Sequence, residues 1–335
     1  MRPMPELGQS AVDTQDLALV EGLLAGQRRA LAKTITLVES TRADHRQRAQ
    51  TLLGVMLPHS GRSLRIGISG VPGVGKSTFI EALGMFLIER GHRVAVLAVD
   101  PSSTVHGGSI LGDKTRMELL SQREEAFIRP TPSSGSLGGV AEHTREALLL
   151  CEAAGHDIII VETVGVGQSE TAVAGMTDCF VLLQLPNAGD DLQAIKKGIM
   201  ELADLVVFNK ADIDPAAAQL AAAQMRSALT MLHPASPNWQ PPVLTLSATR
   251  KDGLAEFWQL LEKFRDTLEA SGEFAARRRH QALDWMWQLV DSGLREGFRR
   301  HPAIRDTLAT TAAAVEAGSI TPAAAARRLL DLAGQ

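Results

Sequence analysis

Cysteine is scarce in this sequence. Two occur among 335 residues, Cys151 and Cys179, both inside apolar runs and without C-x-x-C spacing. That argues against a disulfide framework or thiolate metal site and fits buried free thiols in a reducing compartment. The nine histidines are scattered without ligand spacing, which argues against a zinc or nickel store. No apolar run approaches the about 20 residues needed to span a bilayer. The opening MRPMPELGQS lacks the apolar core of a signal peptide. Positive charge is not in excess: the formal net charge is −4, so there is no global basic footprint for nucleic acid. The ten methionines are spread along the chain and form no apolar groove. The expectation is a cytoplasmic protein that uses neither a membrane nor nucleic acid. Hydrophobic residues make up 45% of the chain, enough for a full core in one large or two smaller domains.

What is present is a phosphate-binding loop. Gly70-Val71-Pro72-Gly73-Val74-Gly75-Lys76-Ser77-Thr78 fits G-x-x-x-x-G-K-[ST] without a mismatch. An apolar run, 64–69, leads in as a strand, and 79–90 leads out as a helix with Phe79, Leu83, Phe86 and Leu87 on one face. The glycines let backbone N–H groups converge on a polyphosphate, and the helix N-terminus adds a favourable dipole. Lys76 can reach the β- and γ-phosphates, and the Ser77 hydroxyl can ligate Mg²⁺.

The rest of the chain alternates apolar strands with amphipathic helices. Strands are expected at 94–99, 126–129, 157–161, 179–183, 205–208 and 243–246. Helices are expected at 114–121, 140–154, 192–202, 215–232 and 253–268. Three helices, 13–25, 27–39 and 43–57, precede the first strand, and their arginines at 28, 29, 42, 46 and 48 read as solvated faces. The pattern predicts an α/β fold, a doubly wound and mostly parallel sheet. Its ligand site should lie at the carboxyl ends of the strands. Beyond 271 the period is helical throughout. Leu283, Trp287, Val290, Leu294 and Phe298 share an apolar face, and Thr321-Pro322 starts the last helix as N-cap and N1.

Several motifs fall at strand ends. Asn209-Lys210-Ala211-Asp212 matches N-K-x-D. Its aspartate can accept from both guanine N1–H and N2–H, donors that adenine lacks, so Asp212 selects GTP or GDP. Asn209 and Lys210 are expected to brace the base and the phosphate loop. Ser247-Ala248-Thr249 falls where a G-protein places its last base-contact loop, with the Ala248 backbone near guanine O6. Glu162-Thr163-Val164-Gly165 occupies the position of D-x-x-G. Glu162 is expected to hold Mg²⁺ through water, and the Gly165 N–H to sense the γ-phosphate. Asp100 and Asp113 are further acidic groups for the metal, Asp100 also for the attacking water. The expected catalytic set is Lys76, Asp100, Glu162 and Gly165, and the expected metal set is Ser77, Asp100, Asp113 and Glu162. Val166 follows Gly165, so the water-orienting glutamine of Ras-like proteins is absent there. The chemistry is mostly positioning and charge neutralisation, which predicts slow turnover alone and acceleration by a partner.

Together the segments 70–78, Val99-Asp100-Pro101-Ser102-Ser103, Glu162 to Glu170, Gly189 to Glu201 and 209–212 resemble the MeaB/ArgK family of G-proteins, which includes the methylmalonic aciduria type A protein. The resemblance runs from about residue 14 to the C-terminus. It implies a GTPase chaperone of adenosylcobalamin-dependent acyl-CoA mutases, chiefly methylmalonyl-CoA mutase. Such a protein gates cofactor loading and protects or reactivates the mutase, and the cobalamin belongs to the partner. It also implies a homodimer joined by C-terminal helices, and a partner-coupling switch that includes Gln168, Asp190, Gln193 and Lys196. The expected division is a helical extension over 1–58, a P-loop GTPase domain over 59–270 and a helical dimerisation region over 271–335. The runners-up are a metallochaperone-type GTPase, which usually carries a His-rich or Cys motif, and an ArgK-like kinase acting on a transport protein.

Overall fold

The computed structural model describes residues 13–99, 117–131, 137–163, 169–186, 197–232 and 236–334. The apolar runs become seven strands: β1 (Leu64–Gly70), β2 (Val94–Val99), β3 (Ala126–Thr131), β4 (Ile158–Thr163), β5 (Cys179–Gln184), β6 (Leu205–Phe208) and β7 (Val243–Thr245). The described helices, in chain order, are α1 (Thr14–Leu24), α2 (Arg28–Val38), α3 (Ala43–Met56), α4 (Lys76–Ile88), α5 (Glu118–Ser121) and α6 (Leu137–Ala153). They continue as α7 (Ser169–Ala174), α8 (Lys197–Leu202), α9 (Pro215–Leu229), α10 (Leu254–Ser271), α11 (Glu273–Arg300), α12 (Pro302–Glu316) and α13 (Pro322–Leu332).

The strands form one sheet in the order β3-β2-β4-β1-β5-β6-β7, and every described pair is parallel. β2, β4, β5 and β6 are buried along their whole length. Continuous apolar runs such as Val94 to Val99 are what a parallel sheet covered on both faces demands. On one face Leu31, Ile35, Leu52 and Met56 of the N-terminal helices share a core with Leu148, Val161, Phe180 and Met225. On the other, Ile66, Ile68 and Ile160 pack with Phe79 and Leu83 of α4 and Phe257 and Leu261 of α10. Phe79 and Phe257 meet edge to face, 5.1 Å apart at 87°, a geometry worth about 0.5–1.5 kcal/mol beyond burial. From β1 the chain runs outward to β2 and β3, returns through β4, then crosses to β5, β6 and β7. That reversal opens a crevice at the carboxyl ends of β1 and β4.

Some details depart from the sequence reading. α4 starts at Lys76, three residues before the expected Phe79, because left-handed Gly75 (φ 90°) turns the loop directly into the helix. α7 was not anticipated. Its six residues are too few to show a period. Arg48 is no simple solvated arginine: its Nη2 lies 2.7 Å from the buried Asp16 carboxylate. Cys151 and Cys179 are buried free thiols, as expected, and burial raises the pKa of both.

The chain divides into two compact units, Met1–Arg278 and Arg279–Gln335. The first ends in a buried ionic cluster at the amino ends of β1, β5 and β6. Arg277 donates to both oxygens of Asp204 at 2.9 and 3.0 Å. Arg278 donates to both oxygens of Asp178 at 2.7 and 2.6 Å. Arg65 grips Glu152 in the same two-pronged way at 2.8 and 2.9 Å. Spacing along the sequence could not show these pairings, which join residues 73 to 100 positions apart. In the second unit α12 packs on α13. Along α11, Leu283, Trp287 and Leu294 are exposed.

Candidate guanine-nucleotide site

The loop after β1 is shaped by side chains that bind its carbonyls. Lys76 Nζ donates to Gly70 O at 2.7 Å and to Val71 O at 3.4 Å. Lys210 Nζ donates to Gly73 O at 2.8 Å, and Asn209 Nδ2 to Val74 O at 2.9 Å. The carbonyls of Gly70, Val71, Gly73 and Val74 are thus engaged by cations or an amide. Apart from the Val74 N–H, which bonds to Val71 O at 3.3 Å, the loop N–H groups are left to converge on a polyphosphate. Two glycines are required for reasons of space. A Cβ on Gly70 would lie 2.5 Å from the Leu183 carbonyl, and one on Gly75 would lie 2.9 Å from Asn209 Nδ2.

The base side is built at the ends of β6 and β7. Asn209 is buried and spans the two loops: besides its bond to Val74, its Oδ1 accepts from Ala248 N–H at 3.1 Å. The N–H that the sequence reading aims at guanine O6 is thus donated to Asn209 here. Lys210 takes a left-handed backbone, φ 62°, and the Ala211 N–H bonds to Leu246 O at 3.0 Å. The following loop is closed by reciprocal Ser247–Asp252 backbone bonds, each 3.1 Å. Ser247 Oγ accepts from Arg250 N–H at 3.2 Å. A hydrogen bond from the Ser247 side chain, and to a lesser extent the Arg250 guanidinium, hold the Asp212 carboxyl below its usual range. Arg250 Nε lies 3.7 Å from Asp212 Oδ2. Asp212 is therefore ionised at neutral pH, the form that accepts two N–H groups from one base edge.

On the phosphate side, Glu162 is buried at the end of β4, in register with Ile68 of β1 and Ala98 of β2. Strand alternation puts its side chain on the Ile160 face, the face that α4 covers. Ser77 lies in the first turn of α4. A hydroxyl and a carboxylate, both hard oxygen donors at one end of one sheet face, suit Mg²⁺. The structure thus gathers 70–78, 162, 209, 210, 212 and 247–249 at the carboxyl edge of the sheet. Asp100, Asp113, Gly165 and Gln168 lie outside the described residues, as do Asp190, Gln193 and Lys196.

The family described as "Methylmalonyl Co-A mutase-associated GTPase MeaB" matches residues 31–303. The chain belongs to this family. A probable GTPase of Mycobacterium tuberculosis (strain ATCC 25618 / H37Rv) is 56% identical over 322 residues, covering 96% of each chain. The mitochondrial methylmalonic aciduria type A homolog of Mus musculus is 50% identical over 323 residues, 93% of this chain and 78% of that one. A solved structure described as LAO/AO transport system kinase superposes with a TM-score of 0.77 at 39% identity, over 97% of this chain and 100% of the other. As a MeaB-family GTPase the chain hydrolyses GTP to GDP and phosphate. Among its described residues no helix is long and apolar enough to cross a membrane.

Two contacts at the site escaped the sequence reading. One is the Arg250–Asp212 approach, for which an arginine in a base loop is the only signal. The other is a hydrogen bond from Thr163 Oγ1 to Ser69 Oγ at 3.0 Å, between two fully buried hydroxyls. Its signal was a serine and a threonine at the carboxyl ends of two mostly apolar strands.

Proposed function

We propose that this GTPase is a chaperone of methylmalonyl-CoA mutase or a related adenosylcobalamin-dependent acyl-CoA mutase. It gates loading of intact cofactor and protects or reactivates the mutase. The observation that carries this reading is the family match over residues 31–303, a span that holds the whole guanine-nucleotide site. The nucleotide works as a timer. Lys76 and the loop N–H groups hold the polyphosphate, while Ser77 and Glu162, with Asp100 and Asp113, hold Mg²⁺. The metal neutralises phosphate charge. Val166 in place of a water-orienting glutamine supports slow turnover alone, with the partner completing the site.

Coupling follows from linkage. A mutase that prefers one nucleotide state alters nucleotide affinity, and the nucleotide alters mutase affinity by the same factor. Gln168, Asp190, Gln193 and Lys196 are the proposed relay. The exposed Leu283, Trp287 and Leu294 of α11 support a homodimer through the C-terminal helices. A kinase reading has less support, because Asp212 is set up for guanine and no separate base for a substrate hydroxyl is visible in the sequence. The test is GTP turnover with added mutase in wild type and Lys196→Ala. The variant should keep GDP binding and lose most of the stimulation. Unchanged stimulation would remove the 189–201 block from the account.

A further inference from the structure

We infer that Thr163 and Ser69 are positioning residues for GTP hydrolysis. Their hydroxyl pair fixes the strand end that carries Glu162 against the strand end that carries the phosphate loop. The inference rests on the reading of Glu162 as a metal-holding group.

Thr163 is the last residue of β4 and follows Glu162 directly. Ser69 immediately precedes Gly70, the first residue of the phosphate loop. The two strands are neighbours, and the Thr163 Oγ1–Ser69 Oγ bond of 3.0 Å is their side-chain link at the carboxyl edge. Strand alternation points both hydroxyls to the face opposite Glu162. They tie the two strand ends from behind and touch no phosphate position.

The surroundings make the pair notable. In register, Thr163 stands beside Val99 of β2, and Ser69 beside Leu182 of β5. The pair is therefore flanked on either side by an apolar residue in the same row. Both hydroxyls are fully buried. Replacing a buried hydrogen-bonded pair by apolar groups of the same shape is often nearly neutral for stability. The fold alone does not call for this bond. What the bond supplies is a fixed lateral distance between two strand ends, each of which turns into the site at its neighbouring residue. Catalysis by positioning is sensitive to such offsets.

The experiment compares Thr163→Val, Thr163→Ser and Ser69→Ala in the full chain, measuring kcat and KM for GTP, GDP affinity and thermal unfolding. Thr163→Val should lower kcat about fivefold, as expected for one lost hydrogen bond. KM and GDP affinity should stay within about twofold, because the loop itself is intact. Thr163→Ser, which keeps the hydroxyl, should restore most of the rate. Ser69→Ala should lower kcat to a similar degree, and the double variant should be no slower than either single one. Wild-type kcat in both Thr163→Val and Ser69→Ala would overturn the inference. Equal losses in Thr163→Ser and Thr163→Val would do the same, because volume would then be the cause. Glu162→Gln, run in parallel, keeps the two claims apart. A normal rate in that variant overturns the metal-holding role of Glu162, and with it the reason for the tie. A slow Glu162→Gln with normal hydroxyl variants overturns the tie alone.

Discussion

Truncating Asn209 should severely weaken nucleotide binding. Its amide makes two bonds across the site, Nδ2 to Val74 O at 2.9 Å and Oδ1 from Ala248 N–H at 3.1 Å. The residue is buried, so Asn209→Ala leaves a carbonyl of the phosphate loop and an N–H of the base loop without partners. Each buried orphan costs about 1–3 kcal/mol. Together they amount to about 2–6 kcal/mol, a roughly 30- to 20,000-fold rise in Kd if the loss falls on binding. The void beside Gly75 adds to the loss, since the amide sits 2.9 Å from where a Gly75 Cβ would be. GTP and GDP should suffer alike, because Asn209 frames both loops and touches no γ-phosphate group. Asn209→Asp should be at least as damaging, since it sets an acceptor against the Val74 carbonyl. Displacement of a fluorescent GDP analogue gives the affinities, and thermal unfolding gives any share lost to stability. A change of threefold or less in both Kd values, with an unchanged Tm, would refute the bridging role.

Asp212→Asn should weaken GTP by about 150- to 20,000-fold, the equivalent of two charge-assisted hydrogen bonds at about 1.5–3 kcal/mol each. It should strengthen xanthosine triphosphate, whose C2 oxygen accepts from the new amide. Competition binding checks both, and an unchanged GTP affinity would remove Asp212 from the base site. His156 supplies a pH prediction. It is buried with Nδ1 3.1 Å from Cys151 O. Burial first, then the Arg93 charge, lower its pKa from 6.5 to about 4. The unfolded chain takes up this proton first, so the stability is present above pH 6.5 and is lost as pH falls towards 4. The loss reaches about 2.5 kcal/mol at pH 4.5 relative to pH 7. Urea unfolding of His156→Gln should show a pH dependence shallower by about that amount, and equal slopes would contradict the assignment.

Much of the fold was legible because its signals are local. Runs such as Val94 to Val99 have the length and β-branched content of strands covered on both faces, and Thr321-Pro322 announces its helix within two residues. The nucleotide loops were legible for the same reason: 70–78 and 209–212 are contiguous motifs whose chemistry sets their spacing. The illegible parts depend on distant residues meeting. Ser69 and Thr163 are 94 positions apart, and Arg278 and Asp178 are 100 apart. Neither pair shows a period or a motif. Arg48 misled because a helix-face arginine looks the same whether it meets water or a buried Asp16. The start of α4 was misplaced because apolar periodicity first appears at Phe79, whereas the turn at Gly75 sets the true beginning.

The central claim is that this GTPase is timed by a mutase. The direct measurement is GTP turnover of the pure protein with and without the adenosylcobalamin-dependent acyl-CoA mutase encoded by the same organism. The account predicts slow turnover alone and a clear, saturable rise when the mutase is added. Turnover that is fast in isolation and indifferent to the mutase would contradict it.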